Sequence, residues 1–184
     1  MRVIGGTAKG RLIRAPRGLG TRPTSGRVRK TLFDVLGQRC DGWVVLDLFA
    51  GSGSLGLEAL SRGASRCVFV ESSRNVTRTL RRNIEHLGFA PKAMVEHGDA
   101  LALERWAAHG PFHLVLADPP YRRGLSDLLG GIDELGSRLL EPGARVVLEH
   151  DRREDTPSEL VALAAIDSRR FGDTMLSFFR YEED

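Results

Sequence analysis

Asp118-Pro119-Pro120-Tyr121, directly after the apolar run Leu114-Val115-Leu116-Ala117, is the segment of this 184-residue chain best suited to chemistry. Two successive prolines fix the backbone, and Pro120 has no N–H to donate, so the Pro119 carbonyl is left free of local pairing. A carboxylate beside a carbonyl suits the two hydrogens of a planar exocyclic amine, and Tyr121 suits stacking on the ring that bears it. The lone pair of such an amine is delocalised into its ring. The useful work is therefore to orient the nitrogen toward an electrophile and to stabilise the positive charge that develops on it. Asp118 need not remove a proton before attack. As bare structure, the same four residues are a rigid turn beyond a strand.

A second constellation precedes it. Val44-Val45-Leu46-Asp47-Leu48-Phe49-Ala50 runs into Gly51-Ser52-Gly53-Ser54-Leu55-Gly56, a G-x-G-x-x-G loop between an expected strand and an expected helix. Such glycines allow a tight turn, close approach of backbone to ligand, and close helix-to-strand packing. Asp47 bears on which ligand is meant. A dinucleotide would bring its pyrophosphate to this loop, and a carboxylate ending the strand opposes that anion. S-adenosylmethionine has no phosphate and carries a cationic ammonium and sulfonium, so Asp47 favours it, unless the carboxylate only caps its own loop. Glu71 lies twenty positions past Gly51 after Val68-Phe69-Val70, where an acid accepts both ribose hydroxyls. In Gly98-Asp99-Ala100, Asp99 is placed either to accept from an adenine amino group or to cap a helix.

The elements that must position these residues follow from alternation. Short β-branched runs interleave with helical patterns, which predicts βαβ units on a parallel sheet. Strands are expected at 44–48, 67–71, 93–96, 113–117 and 145–149, and helices at 54–62, 73–87, 100–108, 125–140 and 158–163. Residues 166–170 and 175–181 flank Gly172-Asp173 with no helix between them, which predicts an antiparallel pair closing the sheet. Ahead of this body, Val3-Ile4 and Arg11-Leu12-Ile13 around a glycine-rich turn read as a hairpin. Thr21 to Ser25 reads as a capping loop before a helix whose apolar stripe is Val28, Leu32, Val35 and Leu36. Arg27, Arg29 and Lys30 are expected off that stripe, facing a partner.

Charge divides the chain at the same place. Residues 1–40 hold ten bases and one acid, and residues 41–184 hold 17 bases and 23 acids, so the net +3 conceals a basic arm on an acidic body. Even mixing would place about five acids in the first forty residues. A polyanion gripped by the arm is the functional reading, and a solvated basic tail is the plain one. Cys40 and Cys67 form no paired framework, the start lacks the apolar core of a signal peptide, and no apolar run is long enough to span a bilayer. A reduced, cytoplasmic setting is expected. Metal catalysis has no support, since Gly110-Pro111 between His109 and His113 precludes a shared helical face.

Taken together, the glycine loop, Glu71 and the D-P-P-Y segment resemble class I S-adenosylmethionine-dependent methyltransferases that modify exocyclic amines. Arg2-Val3-Ile4-Gly5-Gly6, Lys9-Gly10-Arg11, Thr21-Arg22-Pro23-Thr24-Ser25 with Arg27-Val28-Arg29, Leu57 to Ala64, and Phe171-Gly172-Asp173-Thr174 narrow this to the RsmD family of small-subunit (16S) rRNA guanine-N2 methyltransferases. The resemblance implies a Rossmann-like, seven-stranded, mostly parallel sheet with its last strand antiparallel, in a methyltransferase domain at 41–184 behind an RNA-binding extension at 1–40. It implies a cofactor site at Asp47, Phe49, Ala50, Gly51, Ser52, Gly53, Glu71, Asp99 and Ala100, and an amine site at Asp118, Pro119, Pro120 and Tyr121. Lys9, Arg11, Arg22, Arg27, Arg29 and Lys30 are the expected RNA contacts. The expected partner is 16S rRNA within the small subunit or a late assembly intermediate, met by a monomer without membrane or metal. The alternatives are an N6-adenine DNA or RNA methyltransferase, for which little surface remains to read duplex sequence, and a non-catalytic RNA-binding assembly factor.

Overall fold

A computed structural model describes residues 1–16, 25–120, 124–154, 156–157 and 159–183. Its elements are α1 (Gly26–Val35), β1 (Val44–Leu48), α2 (Ser54–Ser61), β2 (Arg66–Glu71), α3 (Arg74–Leu87), β3 (Ala93–His97), α4 (Leu103–Ala107), β4 (Phe112–Ala117), α5 (Leu125–Leu135), β5 (Leu140–Asp151), β6 (Leu163–Phe171) and β7 (Thr174–Tyr181). The strands form one sheet in the order β3-β2-β1-β4-β5-β7-β6. β1 to β5 are mutually parallel, and β7 runs antiparallel between β5 and β6. The expected seven-stranded sheet with an antiparallel last strand is borne out.

The order reverses direction between β1 and β4, so the chain leaves these adjacent strands toward opposite faces. One face packs α1, α2 and α3, through Phe33, Leu57 and Leu80, together with Val3 and Ile13 of the N-terminal segment. The other packs α4 and α5, through Trp106, Leu128 and Ile132. A crevice outside the carboxyl ends of the strands opens at such a switch point and is the usual ligand site of open α/β sheets.

Several boundaries differ from expectation. Residues 159–162 are not helical, and the chain enters β6 at Leu163 instead. Asp133 of α5 accepts the backbone N–H groups of Val161, Ala162 and Leu163 at 2.8–2.9 Å, which holds them in the bend that leads into β6. Val161 is 88% exposed, so the apolar residues there were not one face of a buried helix. The helix expected from residue 100 begins at Leu103, because Asp99 takes the Leu101 N–H with its side chain and the Ala102 N–H with its carbonyl, closing a turn first. α5 stops at Leu135, since Gly136 at φ 45 and ψ −125 leaves helical space, and β5 starts earlier than expected, at Leu140.

At the N-terminus, Arg2 and Leu12 form an antiparallel bridge, flanked by Val3 N–H to the Arg11 carbonyl at 3.0 Å and Ile13 N–H to the Met1 carbonyl at 2.8 Å. Gly6 is held at φ 75 against α2, where a Cβ would lie 1.7 Å from the Ser61 carbonyl oxygen. Its glycine is demanded by that contact as well as by the turn. The segment 17–24 with its expected capping loop, Arg22 included, lies outside the described residues. Ser25 caps α1, its Oγ accepting from the Val28 N–H at 3.2 Å. Among the described residues, no helix is long and apolar enough to cross a membrane.

Candidate active site at the carboxyl edge of the sheet

Strand endings bring four acids to one rim. Asp47 is the fourth of five residues in β1, Glu71 ends β2, Asp99 follows β3 by two positions, and Asp118 follows β4 by one. Asp47 and Asp118 thus stand on the two strands that flank the switch point, with Glu71 one strand further out.

Between them the glycine loop is pinned from several sides. Phe49 sits at φ 59, in the left-handed region, and Ala50 N–H donates to the Val70 carbonyl at 2.9 Å. Glu71 accepts from the Gly51 N–H at 3.0 Å with one oxygen and from the Ser73 N–H at 2.7 Å with the other. Gly53, at φ 82, is the N-cap of α2, and a Cβ there would meet Leu80 Cδ1 at 2.4 Å. In front of Gly51 an added Cβ would meet nothing nearer than the Phe49 carbonyl oxygen at 3.9 Å, so protein leaves that side of the loop open. Ala50, Ser52 and Ala100 are buried beneath the rim.

Asp47 is 2% exposed and accepts from the Gly56 N–H at 2.9 Å, one of the otherwise unpaired donors of the first turn of α2. Gly56 comes this close because it has no side chain: a Cβ would lie 2.4 Å from Phe69 Cε1, 2.6 Å from Cys67 Sγ and 2.9 Å from Asp47 Oδ2. Gly56→Ala is expected to destabilise the fold by about 1–3 kcal/mol by overpacking. Urea unfolding checks this, and an unchanged midpoint would contradict the packing. Burial pushes the Asp47 carboxyl well above the ordinary carboxylate range, the Gly56 N–H opposes that rise, and the charges of Asp118 and Glu71 add to it. The loop-capping alternative for Asp47 is therefore present in the geometry, and beneath the loop lies a carboxylate whose ionisation a nearby cation would favour.

Asp99 is exposed and caps its own turn, while its carbonyl accepts from Trp106 Nε1 at 3.0 Å; Ala102, not Asp99, is the N-cap of α4. Asp118 is half-buried, Pro119 buried and Pro120 exposed; Tyr121 lies outside the described residues.

The expected RNA-contacting cations divide. Lys9 is exposed; Lys30 is exposed and paired with Asp34 at 2.6 Å; Arg27 is exposed with its guanidinium 6.0 Å from the Phe171 ring centroid. Arg11 is exposed but donates to the Leu87 carbonyl at 3.0 Å and to that of His86, capping α3. Arg29 is a correction. It is 1% exposed, donates to the Arg2 carbonyl at 2.6 Å, and lies 3.5 Å from Glu58 in an ion pair. Burial lowers its pKa, partly offset by Glu58. It lines the α1 contact because residues 29, 32, 33 and 36 share a face at helical spacing.

Two site-supporting residues were missed in the sequence. Glu58 of α2, fully buried, accepts the N–H groups of Ile4 and Gly5 at 2.8 and 2.7 Å and the Arg62 Nε–H at 2.8 Å. Its signal was a lone acid inside the apolar run Leu55 to Leu60. Asn83 of α3 donates to the carbonyls of Ser52 at 3.0 Å and Arg14 at 2.9 Å and accepts the Arg14 N–H at 3.0 Å, joining the glycine loop to the N-terminal segment. Nothing in the sequence distinguishes it from other helical asparagines.

Known proteins align with the chain over this whole frame. The family described as Conserved hypothetical protein 95 matches residues 1–180. "Putative rRNA methyltransferase YlbH" of Bacillus subtilis is 38% identical over 183 residues, covering 98% of each chain. "Ribosomal RNA small subunit methyltransferase D" of Escherichia coli is 44% identical over 126 residues, covering 68% of this chain and 62% of the relative. Among solved structures, "Putative methyltransferase yhhF from Escherichia coli" superposes with a TM-score of 0.84 at 33% identity, covering 100% of this chain and 99% of the other. With a family match from end to end and a relative of equal length, the chain belongs to the RsmD family, described as Conserved hypothetical protein 95.

Proposed function

We propose that this protein transfers a methyl group from S-adenosylmethionine to the exocyclic N2 amine of a guanine in 16S rRNA, acting in the cytoplasm on the small ribosomal subunit or a late assembly intermediate. The observation that carries this reading is the pairing, across the switch point, of an acid-rimmed glycine loop with Asp118-Pro119-Pro120. The names of the relatives support the rRNA substrate.

The rim fits the cofactor chemically. Its acids, Asp47, Glu71 and Asp99, suit a cationic nucleoside and oppose a pyrophosphate, and the open side of Gly51 leaves the backbone approachable. When bound, S-adenosylmethionine supplies an electrophilic methyl carbon. Glu71 would accept from its ribose hydroxyls, and Asp99 from its adenine amine. Asp118 and the Pro119 carbonyl would hold the two hydrogens of the target amine, fix its nitrogen for in-line attack and stabilise the charge that grows on it as the N–C bond forms and the methyl–sulfur bond breaks with release of the thioether, and the proton the methylated amine then sheds would pass to Asp118 or to solvent. Tyr121 stacks on the base. Lys9, Arg22, Arg27 and Lys30 contribute phosphate contacts.

Nucleoside mass spectrometry of small-subunit rRNA from a deletion strain tests the reading. Loss of one N2-methylguanosine, restored by the gene, is expected; an unchanged profile overturns it.

Asp47 adds a pH prediction with a definite sign. Its raised pKa means that the native chain keeps a proton that the unfolded chain releases, so its contribution to stability is present at acid pH and is lost as pH rises toward the raised value. A cation over the loop favours the ionised form. Cofactor affinity of the wild type should therefore strengthen with rising pH through that window, and Asp47→Asn should bind more weakly with a flat profile while the unliganded variant is at least as stable as wild type at neutral pH. Calorimetric titration over pH checks the affinity, and retention of the wild-type slope in Asp47→Asn would refute the assignment.

A further inference from the structure

We propose that α3 carries a second phosphate-binding track, formed by Arg74, Arg78 and Arg82, along which rRNA lies as it leaves the active rim. The inference rests on the rRNA methyltransferase reading and extends it to a surface outside the basic first forty residues.

The body is acidic as a whole, yet the fourteen residues of α3 hold four arginines and one acid, Glu85. Arg74, Arg78 and Arg82 recur every four positions, which places them along one side of the helix at steps of about 6 Å. Opposite them, Val76, Leu80, Ile84 and Leu87 are buried against the sheet, so the arginine side faces solvent. Among the described residues no ion pair within 4 Å involves Arg74, Arg78 or Arg82, and the one side-chain contact of Arg78 is a long one to Asn75 Oδ1 at 3.5 Å. Arg81, by contrast, is spent on the Val95 carbonyl at 3.0 Å.

Both ends of the track join features already described. α3 starts three residues after Glu71 at the cofactor rim, and its last carbonyls are capped by Arg11 of the N-terminal segment. The track thus begins beside the cofactor rim and ends where the N-terminal segment docks on α3. The exposed residues of this helix are Arg74, Asn75, Arg78, Arg81, Arg82, Glu85 and His86. A membrane-surface helix needs exposed apolar side chains beside its cations, and a protein interface needs apolar or aromatic anchors. This face has neither, and guanidinium groups without carboxylate partners on a polar helix fit a phosphodiester backbone.

The test compares the full-length wild type with Arg74→Gln/Arg78→Gln/Arg82→Gln, using a fluorescent stem-loop RNA at several salt concentrations. Glutamine keeps the helix propensity. Binding is expected to weaken at least tenfold at low salt, and the salt slope to fall by about two to three, at roughly 0.7–0.9 for each phosphate no longer neutralised. The all-lysine variant at the same positions should bind near wild type. Arg78→Gln/Arg82→Gln, which leaves the rim-proximal Arg74 in place, should lower the slope by about one and a half while keeping cofactor affinity by calorimetry. Equal affinity and slope in wild type and both glutamine variants would overturn the track. So would unchanged RNA binding accompanied by loss of binding to phosphatidylserine vesicles, which would assign the face to lipid. If the wild type itself neither binds this RNA nor methylates small subunits from a deletion strain, the rRNA reading fails instead.

Discussion

Replacing Asp118 with alanine is expected to reduce methyl transfer by about a hundredfold to a thousandfold while S-adenosylmethionine binding stays near wild type. The magnitude is that of removing one preorganised group aimed at charge developing in a transition state. The selectivity follows from position. Asp118 follows β4, whereas the loop that would hold the cofactor is fixed by the hydrogen bonds of Glu71, Asp47 and Asn83, and loss of the Asp118 charge only relieves part of the upward push on the Asp47 carboxyl, which favours its ionised form. Pro119 and Pro120 still set the backbone, so the variant keeps the carbonyl half of the proposed amine grip. Steady-state kinetics on small subunits from a deletion strain, paired with calorimetry, separates the two effects. Lost cofactor affinity in Asp118→Ala would show that the division of roles between β1 and β4 is wrong.

The largest stability effect is expected at Glu58. Glu58→Ala leaves Arg29 charged and buried without its ion-pair partner and leaves the Ile4 and Gly5 N–H groups without their acceptor. Breaking a buried pair from one side costs about 3–5 kcal/mol, which for a chain of this size lowers the melting temperature by about 10 °C. Arg29→Met should be milder, since Glu58 keeps Arg62 and both backbone donors. Arg29→Met should also leave the salt dependence of RNA binding unchanged, because its guanidinium already faces the interior. Thermal denaturation of the two variants checks the order, and a melting point for Glu58→Ala within about 2 °C of wild type would show that the cluster carries little stability.

The fold was legible where local pattern and tertiary demand coincide. Val44 to Leu48 and Leu114 to Ala117 are apolar almost throughout because parallel strands are covered on both faces, and the turn at Gly172-Asp173 joins two strands that do pair antiparallel. The sequence misleads where a distant side chain decides. Asp133 holds three N–H groups nearly thirty residues away in the bend at the start of β6, overriding the helical spacing around Leu163. Arg29 fails for a related reason: an arginine on a helix reads as solvent-facing until a buried acid such as Glu58 is known to face it. The site divides the same way. Its rim acids and glycines lie at strand ends that periodicity locates, while Asn83 acts on Ser52 across 31 positions and leaves no local trace.

The partners of the N-terminal segment also bear on the order in which the molecule becomes native. Ile4 and Gly5 await Glu58, Thr7 awaits Ser61, Arg14 awaits Asn83, and Arg11 awaits the end of α3. These residues are made before their partners and must wait for them, since each of these hydrogen bonds spans more than fifty positions of chain. α2 and α3 thus supply the acid that pairs with Arg29 in the interior and the carbonyls that hold Arg11 at the surface, so the disposition of these two cations depends on elements that follow them in the chain.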